Sequence, residues 1–199
     1  MINFENLKEM INEEPSTWAV GHIIKIVRNF SLTICRRMLR EADLNKLKQK
    51  IRDEINIWGV SFCLGELAKV DYSIWKKLIK KIDLHSLAKK IENANATEIN
   101  KLLEVIALQE TVGKQLINNM DVDKIALRID AGPDVLPLIN LLENFMELNE
   151  DFARKLLKKI DKEKLASKIN QEPKNLRKYI LKVLSGRSGT EKLTSKIES

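Results

Sequence analysis

The sequence predicts an all-α fold, an α-solenoid built from tandem helical repeats. Segments of the chain align with one another, apolar residues recur at helical intervals within each segment, and turn-forming residues are scarce. The chain has only 7 Gly and 4 Pro in 199 residues, so it has few of the residues that β-hairpins require. Lys, Leu and Glu, which are good helix formers, are frequent.

The repeat is seen when the chain is aligned with itself. Four segments match without internal gaps: 35–51, 75–91, 113–129 and 153–169. Each contains an Asp that is followed by Leu or Ile four positions later and by Ile eight positions later. The aspartates are separated by 40, 38 and 40 residues, and they are Asp43, Asp83, Asp121 and Asp161. We therefore expect about four to five armadillo- or HEAT-like units of roughly 40 residues, stacked so that they share one core.

Each unit is predicted to contain three helices, which in the second complete unit span about 72–82, 84–92 and 97–109. The shared Asp precedes the second helix, where a carboxylate caps free backbone N–H groups, so the four aspartates are interpreted as caps. Proline marks the start of the third helix in three units, at Pro15, Pro133 and Pro173, because it loses no hydrogen bond there. Where Asn95 stands instead, Asn95 or Thr97 is expected to provide the cap.

The predicted domain organisation is a single helical-repeat solenoid over residues 1–184. It comprises a half repeat at 1–30, units at 31–70, 71–109, 110–149 and 150–184, and a Ser/Gly joint with a short C-terminal helix at 185–199. Residues 190–197 resemble the second helix at 161–169. Since the array is expected to begin and end in mid-repeat, we favour a piece of a longer solenoid over a chain with two short caps.

The repeats resemble a known class of accessory repeats. Residues 58–69 (WGVSFCLGELAK), 74–78 (IWKKL) and 83–91 (DLHSLAKKI) are similar to helical repeats appended to archaeal STAND-type and P-loop ATPases. In such proteins the repeats are sensor or scaffold arms, so the resemblance implies a role in recognition. It does not imply ATPase activity, because the chain has no G-x-x-x-x-G-K-[ST] loop.

Composition narrows the compartment and the chemistry. No apolar run approaches the ~20 residues of a membrane span, and the first residues lack a secretory signal. The two cysteines, Cys35 and Cys63, lie within apolar patterns, which favours reduced core residues in a cytoplasmic protein. We expect no membrane contact.

No residue cluster indicates catalysis. The two histidines, His22 and His85, have no identifiable nucleophile, and a site made of Cys63 and His22 has too few ligands for zinc. We therefore expect no catalytic, cofactor-binding or metal-binding residues, and no enzyme activity. Trp18 and Trp58 occupy one repeat position that Leu fills in two later copies, so buried packing is expected rather than an exposed ladder that stacks on bases.

The charge pattern suggests a binding surface. Lys and Arg number 35 against 28 Asp and Glu, which gives a net charge of +7. Cations recur on the first helix of each unit, and stacking would align them as a basic ridge of Arg36, Arg37, Arg40, Lys76, Lys77, Lys80, Lys81, Lys114, Arg154, Lys155, Lys158 and Lys159. The third helix of the third unit carries Asp134, Glu143 and Glu147 instead. Either the ridge is a solvated face, or it binds an anionic partner. An acidic protein is the favoured partner, and nucleic acid is the alternative.

Overall fold

The computed structural model describes residues 4–184 and 190–198, and every regular element within them is an α-helix. The all-α prediction is therefore confirmed for the described part of the chain. The helices are α1 (Phe4–Glu13), α2 (Thr17–Phe30), α3 (Leu32–Glu41), α4 (Leu44–Asp53), α5 (Ile57–Val70), α6 (Tyr72–Ile79), α7 (Leu84–Ile91), α8 (Ala96–Ile106), α9 (Glu110–Asn118), α10 (Val122–Ala131), α11 (Val135–Leu148), α12 (Glu150–Lys159), α13 (Lys162–Asn170), α14 (Lys174–Leu184) and α15 (Glu191–Glu198).

From α1 to α14 the helices follow one order along the chain. We name them by their place in the predicted unit: first-position helices are α3, α6, α9 and α12; second-position helices are α1, α4, α7, α10, α13 and α15; third-position helices are α2, α5, α8, α11 and α14. The second complete unit has shorter helices than the sequence indicates. Helix α6 ends at Ile79 because the next N–H groups bond three residues back, from Lys81 to Leu78 (2.9 Å). Helix α8 ends at Ile106 with a similar turn, in which the Gln109 N–H bonds to Ile106 O (3.0 Å).

Side-chain caps set the starts of the helices. The carboxylate of each repeat aspartate accepts bonds from two backbone N–H groups at the start of α4, α7, α10 or α13. Ser16, Asn56 and Asn95 cap the third-position helices α2, α5 and α8. Asn95 forms a capping box with Glu98, so Asn95 rather than Thr97 provides this cap.

Consecutive helices are connected tightly. A single residue ends one third-position helix and caps the first-position helix that follows, and these residues are Ser31, Asp71 and Asn149. The fourth connection is longer, at residues 107–109. Because a one-residue connection leaves little freedom, the angle between the two helices is fixed locally.

The third-position helices pack beside one another in chain order. Helix α2 packs on α5, α5 on α8, α8 on α11 and α11 on α14. First-position helices pack mainly against helices that precede them, such as α3 on α1 and α2, and α12 on α10 and α11. Buried apolar side chains from α1 to α15 form one contiguous cluster. Contacts in the core therefore join elements that are close in sequence.

Glycine allows α2 and α5 to approach closely. A Cβ atom on Gly21 would lie 2.6 Å from Phe62 Cδ1 and 3.2 Å from Cys63 Cα. A Cβ atom on Gly59 would lie 2.9 Å from Thr17 Oγ1. A glycine costs helix stability of its own, so its presence within both helices is explained by this contact.

A recurring set of hydrogen bonds joins successive second-position helices. The residue before the last Ile of the repeat is cationic in four copies, as Lys50, Lys90, Arg128 and Lys168. Each side chain donates to backbone carbonyls where the preceding second-position helix ends: Lys50 to Asn12 O (2.7 Å), Lys90 to Glu54 O (2.6 Å), Arg128 to Glu92 O (3.1 Å) and Lys168 to Gly132 O (2.6 Å). We call these four residues the carbonyl clamp. A cation there satisfies free carbonyls and opposes the negative end of the helix dipole.

Burial accompanies the clamp. Partial burial of the two ammonium groups lowers the pKa of Lys90 and of Lys168, since a partly desolvated ammonium is less stable than one in water. The lysines of the clamp look like solvated surface residues in the sequence, so nothing in their local pattern indicates this contact.

Candidate interaction surface

The structure exposes all twelve residues of the predicted basic ridge. They are spread over four first-position helices and the turn after α6. These helices pack mainly on second- and third-position helices. The ridge is thus a set of exposed cations on separate helices.

About half of these cations are engaged within the protein. Arg36 Nε donates to Val70 O at 3.0 Å, and Arg40 lies 3.6 Å from the Asp71 carboxylate, so both hold the connection between α5 and α6. Lys159 pairs with Asp123 of α10 at 2.9 Å. The remaining pairs are within single helices: Arg37 with Glu41, Lys114 with Glu110, and Arg154 with Glu150.

The other half of the ridge carries uncompensated charge. Within residues 4–184 and 190–198, six of its lysines have no ion-pair partner: Lys76, Lys77, Lys80, Lys81, Lys155 and Lys158. Four of these six lie on α6 or directly after it. The highest density of free cations in the ridge is therefore at this one helix, where an anionic partner would be attracted most strongly.

The tryptophans contradict the expectation of buried packing. Trp18 is 40% exposed and Trp58 is 38% exposed. Leu136, which occupies the same repeat position, is 41% exposed. The position points away from the core because its neighbours in α5, Ile57 and Gly59, are the residues that face inward. Leu at this position in other copies indicated burial, but Leu is only half covered there.

Trp18 belongs to an aromatic cluster on α2 and α5. Its ring centroid lies 4.7 Å from that of His22 and 4.8 Å from that of Phe62, and His22 and Phe62 are 4.8 Å apart. The Lys25 ammonium lies 5.9 Å from the Phe62 ring centroid, at the limit of a cation–π contact. The local sequence pattern did not reveal Phe62 or this role of His22, because these residues meet only where α2 packs on α5.

Two grooves meet at Trp58. One has a volume of about 280 Å³ and lies between α5 and α8, lined in part by Trp58, Phe62, Glu66, Lys69, Lys101 and Val105. The other has a volume of about 640 Å³ and lies at the starts of α8 and α11, lined in part by Trp58, Asn95, Thr97, Arg128, Asp134 and Pro137. A ligand that occupied both grooves would cross the Trp58 indole. We define the candidate surface as these two grooves with the adjoining aromatic cluster.

The polar groups of the smaller groove are held in place. Glu66 is almost fully buried, and its carboxylate lies 3.1 Å from Arg28 and 2.7 Å from Lys69. Lys101 and Glu104 form a second pair at 2.8 Å. These pairs leave the groove close to neutral, so its apolar and aromatic walls determine what it accepts.

The larger groove keeps some free hydrogen-bonding capacity. Asp134 stands at the start of α11 but its side chain makes no cap bond, in contrast to Asn95 at the start of α8. Arg128 donates to Glu92 O and, at 3.3 Å, to Asn93 Oδ1. Backbone N–H groups at the start of α11 are therefore available beside an exposed carboxylate and a guanidinium.

The thiols and histidines are not arranged for nucleophilic or metal chemistry in the described part of the chain. Cys35 and Cys63 are free and buried, and burial raises the pKa of Cys35 to about 11 and that of Cys63 to about 12. Both thiols therefore stay protonated at neutral pH. No group of three or more His, Cys, Asp or Glu side chains suits a metal ion among the described residues. His85 is exposed at the start of α7.

Comparison with known proteins gives no assignment: no family, curated protein or solved structure matches the chain. None of the described helices is both long and apolar enough to cross a bilayer.

Proposed function

We propose that the chain is an α-solenoid of armadillo- or HEAT-like units that acts as a non-catalytic, cytoplasmic protein-interaction module. The side-by-side packing of α2, α5, α8, α11 and α14 supports the solenoid. So does the carbonyl clamp, which recurs once per unit at one position of the repeat. Contacts that repeat at one period are the mark of stacked units, each stabilised by its neighbours.

One observation supports protein binding most strongly. Trp58, more than a third exposed, forms a wall common to two grooves with volumes of about 280 and 640 Å³. Trp is among the residues most enriched at the energetic centres of protein interfaces. A partner segment that lies across α5, α8 and α11 would place an apolar side chain on this indole and polar backbone groups near the start of α11.

The charge of the chain favours an acidic partner. The net charge is +7, and six ridge lysines are uncompensated within the described residues. Since the smaller groove is almost neutral, these lysines would accelerate encounter with an acidic protein while Trp58 supplies the affinity.

A peptide-display selection on the immobilised chain tests the proposal. We expect selected peptides to combine a large apolar residue with Asp and Glu, and to bind Trp58→Ala at least ~10-fold more weakly by fluorescence anisotropy. Leu127→Ala is the control, because Leu127 is 68% exposed on α10 and lines neither groove. Peptides that bound Trp58→Ala as tightly as the unmodified chain would contradict the proposal.

Nucleic-acid binding is a second candidate, favoured by the four free lysines of α6 and its following turn. Contacts with phosphate strengthen at low salt, so a labelled RNA or DNA strand should bind at ~50 mM salt and dissociate by ~200 mM. Replacing Lys76, Lys77, Lys80 and Lys81 with Gln should abolish this binding, whereas acidic peptides should bind this variant more slowly and should still depend on Trp58. The absence of any anisotropy change at ~50 mM salt would exclude this candidate.

A further inference from the structure

A narrow crevice with a cationic rim lies between α4 and α7, beside the turn that follows α6. It is lined in part by Lys48, Arg52, Asp83, Ser86, Leu87 and Lys90. Its volume is about 10 Å³, which is room for a single oxygen-sized group. We call this site the α4–α7 crevice.

The charge of the lining is predominantly positive. Lys48, Arg52 and Lys90 are cationic, and Asp83 is the one carboxylate among the described residues that line the crevice. The Asp83 carboxylate is already engaged, because it caps the start of α7. An anion at the crevice therefore meets three cations and no free carboxylate of the lining.

Two of the three cations are available to an external anion. Lys90 belongs to the carbonyl clamp and is held by backbone oxygens. Arg52 pairs with Asp53 through Nε at 3.1 Å, which leaves the two terminal nitrogens of its guanidinium available. Lys48 has no ion-pair partner within residues 4–184 and 190–198. Lys48 and Arg52 are therefore the residues on which anion binding would depend.

The remaining features of the crevice suit a carboxylate. The Ser86 N–H bonds to Asp83 Oδ1 at 3.2 Å, while the Ser86 hydroxyl has no acceptor in the described part of the chain and can donate to a ligand. A flat carboxylate can direct one oxygen into a space of this size, whereas a base or a ribose cannot enter it. None of the described lining residues is aromatic, so bases have no side chain to stack on.

The α4–α7 crevice is close to Trp58. Arg52 and Trp58 are six residues apart in the sequence, so their Cα atoms are separated by at most ~20 Å. The chain between them is held against α7 by Lys90, whose ammonium donates to Glu54 O at 2.6 Å. An extended segment of about six residues spans such a distance. One partner segment can therefore contact both the crevice and the Trp58 indole.

We propose that the α4–α7 crevice binds a carboxylate of the partner segment whose apolar residue lies on Trp58. The inference rests on the proposed function for the existence of that partner, and it assigns the preference for an acidic segment to Lys48 and Arg52. Lys80 and Lys81, both exposed, directly precede the turn that lines the crevice. Their charge would steer an acidic segment towards this site.

Fluorescence anisotropy with labelled hexaglutamate tests the crevice by itself. At ~50 mM salt the peptide should bind the double variant Lys48→Gln, Arg52→Gln at least ~10-fold more weakly than the unmodified chain, because both charged donors are lost. The matched control is Lys174→Gln, Lys178→Gln, since both lysines are exposed on α14 and the net charge changes equally. The control should lose less than ~2-fold in affinity.

Two outcomes of this titration would overturn the proposal. One is the absence of hexaglutamate binding to the unmodified chain. The other is an equal loss in the two double variants, which would mean that net charge alone attracts the peptide.

A joined peptide tests whether one segment reaches both sites. It carries a leucine, a Gly/Ser spacer of about six residues and three glutamates, and it should bind at least ~10-fold more tightly than the same peptide with glycine in place of leucine. Trp58→Ala should remove this gain and leave hexaglutamate binding unchanged, so failure of the Trp58 surface is distinguishable from failure of the crevice. No gain from the leucine would reject the shared segment.

A labelled oligothymidylate of ~20 nucleotides distinguishes carboxylate from phosphate binding. Its affinity should fall less than ~2-fold in Lys48→Gln, Arg52→Gln, because its phosphates can contact other lysines of the basic ridge. A loss as large as that of hexaglutamate would assign the crevice to phosphate and overturn the choice of an acidic protein segment.

Discussion

Single residues fix where the helices of this protein begin. Asp83 illustrates this, because its carboxylate accepts bonds from the N–H groups of His85 (3.1 Å) and Ser86 (3.2 Å). The sequence could predict these caps since an N-cap depends on residues only two or three positions away. Lys90, on the same helix, shows the opposite case, because the carbonyls it binds belong to residues 36 to 39 positions earlier.

Removal of the Asp83 cap should destabilise the fold without affecting the proposed partner surface. Asp83→Ala leaves two backbone N–H groups without a side-chain acceptor, so we expect a loss of about 1 kcal/mol in the free energy of unfolding. For a chain of this size that corresponds to roughly 2–4 °C in Tm by calorimetry. His85→Ala, in the same turn, should have little effect because only the His85 backbone is engaged by the cap. An unchanged Tm for Asp83→Ala would refute the cap interpretation.

Glu54 should make stability depend on acid pH. Burial alone would raise its pKa, but hydrogen bonds from the Asn56 N–H and from the Thr17 N–H and hydroxyl outweigh burial and hold the pKa below its usual value. A carboxyl with a depressed folded-state pKa stabilises the fold above its unfolded pKa of about 4.3, and this contribution disappears as pH falls through the folded pKa.

Urea unfolding at two pH values measures the Glu54 contribution. Glu54→Gln should be less stable than the unmodified chain at about pH 7, and the difference should shrink towards about pH 3 as the carboxyl is protonated. Glu9→Gln, on the exposed side of α1, serves as the control and should show no such convergence. A difference that stayed constant with pH would mean that charge on Glu54 is not what stabilises the α4–α5 connection.

At the scale of helices, the contact between α2 and α5 depends on two residues without side chains. Gly21→Ala would bring a Cβ atom within 2.6 Å of Phe62, and overpacking of this kind costs about 1–3 kcal/mol. That loss exceeds the ~1 kcal/mol by which Ala favours a helix over Gly. We expect a lower free energy of unfolding by chemical denaturation.

Gly65 on α5 provides the matched control. A Cβ atom there would lie 3.5 Å from Val105 Cγ2, an ordinary contact, so Gly65→Ala should be neutral or stabilise by up to ~1 kcal/mol. Equal effects of Ala at positions 21 and 65 would show that helix propensity, not the close approach of α2 and α5, determines the outcome.

The carbonyl clamp should couple neighbouring units. Lys90→Met keeps the length of the side chain but leaves the carbonyls of Ile51 and Glu54 without this donor. Loss of hydrogen bonds from a charged group costs about 1.5–3 kcal/mol at most. The variant also avoids the cost of burying the ammonium, the same cost that lowers the Lys90 pKa, and this offsets part of the loss. We therefore expect a net loss of roughly 1 kcal/mol. Lys89→Met is the control, because it removes an exposed lysine next to Lys90. This variant should leave the unfolding midpoint in urea unchanged. Equal midpoints for the two variants would contradict the clamp.

For the molecule as a whole, the sequence predicts those features that depend on local patterns. Helix order and the turns between helices follow from periodicity, caps and proline. Features that arise only when helices distant in sequence meet were not predictable. Phe62 contacts Trp18 and His22 because α2 packs on α5, and Trp58 borders two grooves because α8 lies beside α5 and α11 lies beside α8. The exposure of Trp58 was also misjudged, since periodicity shows which side of a helix is apolar but not how far its neighbours cover that side.

Hydrogen exchange distinguishes a stack of coupled units from a single cooperative core. Leu157 is buried in α12, and Leu157→Ala should destabilise its surroundings by about 2–5 kcal/mol. If stability arises from contacts between neighbours, amides of α12 to α14 lose protection while those of α2 and α5 keep it. Leu64→Ala, at an equally buried site in α5, should reverse the pattern. Uniform loss of protection in the slowest amides of both variants would instead mean that the helices unfold as one unit, and the solenoid would have to be abandoned as the source of stability.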